Sequence, residues 1–529
     1  MNQKAVVIGA GVGGTAVAAR LAKQGFEVTV YEKNDFGGGR CSLINKNGHR
    51  FDQGPSLYLM PKIFEETFRD LGEDINDHLE LLKCESNYKV HFHDGNSIQL
   101  TCDLPKMCAE IERFEGEKET TIENFLSFLR ECHIHYDHSV RLALKTNFPT
   151  LSDLLRPKYL PEVFKMHLYD TVYNRASKYF TSDYMKKAFT FQTMYIGMSP
   201  YDAPGAYNLL QATEFLEGIW YPKGGFYQVV KALENIATKK FGAKFVYNCG
   251  VKRIEVDADG VATGVTLETG EMIKADVVVC NADLVYAYNK LLPPTNYGDK
   301  LGQNCQLTSS SISFYWSMKQ KMDQFGVHNI FLAEEYRESF DQIFNDHTLP
   351  EDPSFYVNVP NRIDPTAAPP GKDSIIVLVP VGHITDKEKQ NFESLVQIAR
   401  RKVIEIIERC LKIDNFEQYI EDETVNHPLI WSEKFNLWKG SILGLSHNIP
   451  QVLYFRPSTR SHLFKRLYFV GASAHPGTGV PVVLCGSKLV ADQIAKDRLT
   501  SKSDRDSIVK MILVTMFFLL LAVLVSTMF

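Results

Sequence analysis

The stretch from Lys4 to Glu32 constrains the fold more than any other part of the chain. Val6-Val7-Ile8 is a short unbroken apolar run, the pattern of a strand buried on both faces. Gly9-Ala10-Gly11-Val12-Gly13-Gly14 follows, then a helix-forming stretch from Thr15 to Gln24, with Gly25 as its stop. Residues 27–31 return as a second strand, and Glu32 ends it. Strand, glycine turn, helix, strand and terminal acid together make a β-α-β unit of the dinucleotide-binding kind. Gly9 permits the tight turn, Gly11 lets the backbone approach a pyrophosphate, and Gly14 lets the helix lie close on the strand. The phosphates then face a helix N-terminus, whose free N–H groups and dipole favour anions. Glu32 can accept hydrogen bonds from both ribose hydroxyls and would repel a 2′-phosphate, which disfavours NADP. NAD, as cofactor or co-oxidant, stays open on this fingerprint alone.

The next residues favour FAD. In Gly37-Gly38-Gly39-Arg40 a second glycine turn and a guanidinium can close over the far side of a diphosphate, a clasp that simple NAD dehydrogenases do not need. Phe51-Asp52-Gln53-Gly54-Pro55-Ser56 makes another glycine turn. Residues from about 58 to 219 read as mainly helical. Strands are expected at 244–247, 251–256, 261–267 and 276–280, as an antiparallel ribbon leading back to the nucleotide sheet. Near the end, residues 467–481 read as strand, glycine-rich turn and a helix starting near Pro481. That helix start would face the N1 and C2 carbonyl of a flavin and favour its reduced form.

These signals predict an α/β fold: a Rossmann-like FAD-binding domain interwoven with a mixed α+β substrate domain. The FAD-binding parts are expected at 1–70, 220–290 and 455–498, and the substrate domain at 71–219 and 291–454. A linker at 499–510 leads to residues 511–529, nineteen residues without a charge. At ~1.5 Å per residue such a helix spans roughly 28 Å, close to a bilayer's hydrocarbon core. Five basic residues between 496 and 510 stand against three aspartates. The expectation is a single-pass C-terminal anchor, with the catalytic body on the cytosolic side, at the endoplasmic reticulum. The start of the chain lacks a secretory pattern, and the ten cysteines include no C-x-x-C pair, so a reducing compartment and no structural metal are expected. Net charge −5 without a basic tract argues against nucleic acid as a partner.

The glycine turns at 9–14, 37–40 and 51–56, Tyr221–Phe226, Ala275–Asp283 and Val470–Pro481 together resemble the bacterial and fungal phytoene desaturases, from residue 1 to about 495. Residues 189–204, 309–318 and 435–446 look most like fungal members. One departure is Arg466, where the family usually carries Asn or Gly. The resemblance implies a flavin amine-oxidase-like fold, with FAD contacts at Gly9, Gly11, Gly14, Glu32, Arg40, Gly54, Gly471, Gly479 and Val480, and Val251 near the adenine. It also implies dehydrogenation of a C40 polyene drawn from a lipid bilayer: phytoene through phytofluene, ζ-carotene and neurosporene to lycopene. Hydride would pass to the flavin, and the electrons onward to an acceptor such as a quinone or oxygen. Homo-oligomerisation is left open. A related carotenoid isomerase or retinoid saturase, and a non-catalytic prenyl-lipid carrier, are the alternatives.

The proton acceptor carries no sequence signature. Asp183 is one candidate, against a plain role as a solvated helix cap. His133, His135 and His138 fall on different faces of an expected helix and do not predict a metal. His475 lies in the flavin turn, with a packing or hydrogen-bonding role expected. The aromatic run at 189–195 suits either the core or a tunnel wall.

Overall fold

The structure, a computed structural model, describes residues 3–386 and 390–499. A five-stranded parallel sheet runs in the order Leu467–Phe469, Val277–Cys280, Lys4–Ile8, Glu27–Tyr31, Lys244–Val246. Three of its strands, Lys4–Ile8 after its exposed first residue, Val277–Cys280 and Leu467–Phe469, are buried on both faces, while the edge strand Lys244–Val246 is not. Ala5, Val7, Val28 and Val30 pack under the helices Val12–Lys23, Tyr227–Asn235 and Val480–Leu499. Val6, Ile8, Val278 and Cys280 pack on the opposite side, against Ile254, Val265 and Leu267 of an antiparallel ribbon. Two-sided burial explains why these strands read as continuous apolar runs.

The ribbon is Val251–Val256, Ala262–Leu267 and Met272–Lys274. The expected strands at 244–247 and 276–280 belong to the parallel sheet instead, and the third ribbon strand at 272–274 had no sequence signal of its own.

The largest departure lies in the region read as helical. Tyr88–Phe92 and Ser97–Leu100 form the edge of a seven-stranded sheet, whose other strands are Ile420–Asn426, Ser310–Met318, Ser374–Val381, Phe355–Asn358 and His328–Leu332. A further short strand, Leu81–Lys83, pairs with Trp220–Pro222. Ile312, Phe314, Trp316 and Met318 send one face of the long strand under the helix Phe392–Leu411. Around them, helices Leu104–Glu115 and Glu119–His138 and a series of short helices from 151 to 217 enclose an aromatic core that includes Phe125, Phe128, Phe189 and Phe191.

The apolar run at 511–529, expected as a membrane-spanning helix, lies outside the described residues. Among the described residues no helix is long and apolar enough to cross a membrane.

Candidate flavin and substrate site

The site lies at the carboxyl ends of the parallel strands, where open α/β sheets bind ligands. Gly9 leaves the first strand at φ +92° and turns the chain into helix Val12–Lys23. A Cβ on Gly14 would stand 2.0 Å from the Gly9 carbonyl oxygen, so this contact tolerates no side chain. At the end of the second strand the Glu32 carboxylate is fixed on both oxygens: one accepts the Ala10 N–H at 2.9 Å, the other the Asn34 N–H at 2.9 Å. That clamp places it beside the glycine turn, where an adenosine ribose would lie.

Across the turn, Gly38 donates its N–H to the Ala10 carbonyl at 2.8 Å and joins the second glycine turn to the first. Arg40 follows it. Burial lowers the Arg40 pKa, while Asp283 opposite raises it. Asp283 is in turn pushed up by burial, against hydrogen bonds from the Tyr286 N–H and the Ser473 hydroxyl and the charge of Arg40. Gly54 packs on Arg40, its missing Cβ 2.5 Å from the Arg40 carbonyl oxygen. The turn 471–479 and the start of helix Val480–Leu499 close the other wall, tied to the strand ends by the Asn281 side-chain amide donating to the Val470 carbonyl at 2.8 Å.

Gly9, Gly11, Glu32, Arg40, Gly54, Val251, Gly471, Gly479 and Val480 all line one cavity of about 470 Å³. Gly14 does not. It stands behind the turn and acts by close packing. Asp183 is also absent from the cavity wall. It opens helix Asp183–Ala188 with its side chain 65% exposed and pairs with Lys187 at 2.9 Å, the position of a solvated helix-start acid. Asn281, Asp283 and His447 line the cavity although no sequence signal singled them out individually. The first two directly follow an apolar strand, so the rule that sites gather at strand ends could have found them.

The remainder of the cavity is mostly apolar, with Leu57, Met166, Leu168, Met194, Leu210 and Leu453 in its wall. The aromatic run divides: Phe189 and Phe191 are core, whereas Met194, Tyr195 and Ile196 face the cavity. The Tyr356 hydroxyl is shared with Ser56 at 2.7 Å and His328 at 2.8 Å. His475 hydrogen-bonds the Thr146 carbonyl at 2.7 Å and is driven to a pKa of about 4, chiefly by burial.

Of the three helix histidines, His135 meets Glu131 and His167, with potential ligand atoms within 4.8 Å of one another. Glu131 is already held by Arg175 and by the Tyr179 hydroxyl, and His135 bonds His167 at 2.8 Å.

A glycine cradle that a Cβ would fill, an acid fixed at the second strand's end and a cation over a second glycine turn fit FAD. The fold and this wall define a flavin-dependent oxidoreductase. The profile of the family described as flavin containing amine oxidoreductase matches residues 12–495. An oxidoreductase of Methanosarcina mazei superimposes with a TM-score of 0.62 at 17% identity, over 92% of this chain and all of that one. A phytoene desaturase of Phycomyces blakesleeanus is 60% identical over 92% of this chain and 84% of its own. One of Fusarium fujikuroi is 51% identical over 94% and 90%. Within the flavin-containing amine oxidoreductases, the chain belongs to the phytoene desaturase family.

Proposed function

We propose that this chain dehydrogenates phytoene, through phytofluene, ζ-carotene and neurosporene, to lycopene. The observation that carries the reading is the continuity of an apolar chamber with the dinucleotide cradle. A hydrocarbon offers no polar handle, so its binding rests on burial, at about 25 cal/mol per Å². The wall around Leu57, Met166, Leu168 and Leu453 supplies that surface. FAD, when bound, accepts hydride at N5 from carbon next to an allylic system. Glu32 would hold its ribose, Arg40 its diphosphate, and the 471–480 wall its redox-active end. Close relatedness to desaturases favours this reading over an isomerase, a saturase or a lipid carrier.

The further parts of the proposal are a tail anchor at 511–529 at the endoplasmic reticulum with the body in the cytosol, substrate uptake from the bilayer, and re-oxidation by a quinone or oxygen. The apolar run and its basic flank support the anchor. Expression in a colourless bacterium that makes phytoene tests the activity. A red extract with lycopene bands is expected. A colourless extract, with flavin-loaded protein present, contradicts it.

A further inference from the structure

Arg456 is 2% exposed, yet no carboxylate pairs with it among the described residues. Its five N–H groups all go to main-chain carbonyls. Nε donates to Ala474 at 3.3 Å, Nη1 to Ser446 and Gln451 at 3.0 Å each, and Nη2 to Leu445 at 3.1 Å and Ala472 at 2.5 Å. Carbonyl dipoles solvate the guanidinium without neutralising it. Burial brings its pKa down to about 10, so it stays charged at neutral pH.

The charge lies directly beneath the cavity wall. A Cβ on Gly477 would be 3.8 Å from Arg456 Nε, and Gly477 lines the cavity. The titratable groups beside it add no negative charge. His447 accepts the Thr478 N–H on Nε2 at 3.1 Å and is kept neutral by burial and by Arg456; His475 is likewise neutral, and Tyr207 is held protonated by burial. The N-terminus of helix Val480–Leu499 adds its positive end on the same wall. A buried unpaired cation is costly, and proteins keep such groups where function needs them.

We propose that Arg456 sets the redox poise of the flavin. Hydride addition at N5 leaves one negative charge spread over N1 and the C2 carbonyl. An unneutralised cation under the 471–479 turn stabilises that charge and makes the flavin the stronger hydride acceptor. The inference rests on the reading that FAD lies with this edge over the turn. Arg456 acts through the turn, without touching the cofactor.

The test uses the full-length holoprotein, its midpoint potential and its affinity for sulfite, which adds to N5 and leaves the same negative charge. Arg456→Gln is expected to shift the potential to more negative values and to weaken sulfite binding at least tenfold, while Arg456→Lys restores most of both. Both variants lose thermal stability, because neither side chain reaches all five carbonyls. A flavin-loaded Arg456→Gln protein with unchanged potential and sulfite affinity overturns the proposal and leaves Arg456 a structural staple. If that variant holds no flavin, the unsubstituted holoprotein decides: sulfite bleaches it under the proposal, and resistance to excess sulfite contradicts it. An unsubstituted protein without flavin would fail the cofactor reading first, and its absorption spectrum shows this before any variant is made.

Discussion

Gly14 has no space for a single methyl group. With its Cβ position 2.0 Å from the Gly9 carbonyl, Gly14→Ala must push the helix off the strand and open the cradle. Flavin-free protein, destabilised by about 1–3 kcal/mol or more, is expected from absorption and thermal melts. Arg466 offers the opposite case. It sits at φ +60°, just before the strand Leu467–Phe469, in the left-handed region that Asn and Gly tolerate. The family's usual residues at this place thus have a backbone cause. Arg466→Gly is expected to stabilise the protein by about 1 kcal/mol, seen as a raised melting temperature, with flavin affinity unchanged. Glu214 tests burial itself. It is fully buried, accepts from the Tyr88 hydroxyl at 2.8 Å and from Gln192 at 3.3 Å, and burial pushes its pKa up to about 8. The folded state therefore binds this proton more tightly than the unfolded chain. Its contribution is full below the ordinary carboxyl range and is lost as pH rises through about 8. Melts from pH 5 to pH 8.5 should fall less steeply for Glu214→Gln than for the unsubstituted protein; equal slopes would contradict this.

At the scale of elements, legibility followed burial geometry. The strands at 4–8 and 277–280 are covered on both faces and stand out as apolar runs closed by glycine or by Asn281. The helix at 480–499 was placed by Pro481 and the glycines before it. Tyr88–Phe92 and Ser97–Leu100 form a local hairpin over Asp94-Gly95, a turn signal the helical reading passed over. The long-range partner is that of Tyr88–Phe92 alone, which pairs with His328–Leu332 more than two hundred residues away and whose alternation is interrupted by the buried His91. Ten cofactor contacts were expected; nine line the cavity, since their signal is local turn chemistry. Arg456 and His447 escaped notice because their roles depend on contacts among residues 445–479 that no spacing announces. The run at 511–529 belongs to this scale too. Removing residues 500–529 is expected to move the protein from the membrane fraction to the supernatant with its flavin retained. Membrane recovery equal to that of the full chain would refute the anchor.

Among the described residues the two largest sheets both contribute to one cavity, with the nucleotide cradle built from sequence segments near both ends of the described chain and from its middle. Serial burial of a hydrocarbon beside a flavin follows from that arrangement, because the apolar wall comes from the helical segments near 140–210 and the second sheet, and the polar wall from the first. The most direct test is to mix the flavin-loaded protein, without oxygen, with vesicles carrying phytoene and to follow the flavin's visible absorption. The account predicts bleaching that depends on phytoene, with phytofluene appearing in step. A flavin that stays oxidised in the presence of phytoene, while dithionite still bleaches it, would contradict the assignment.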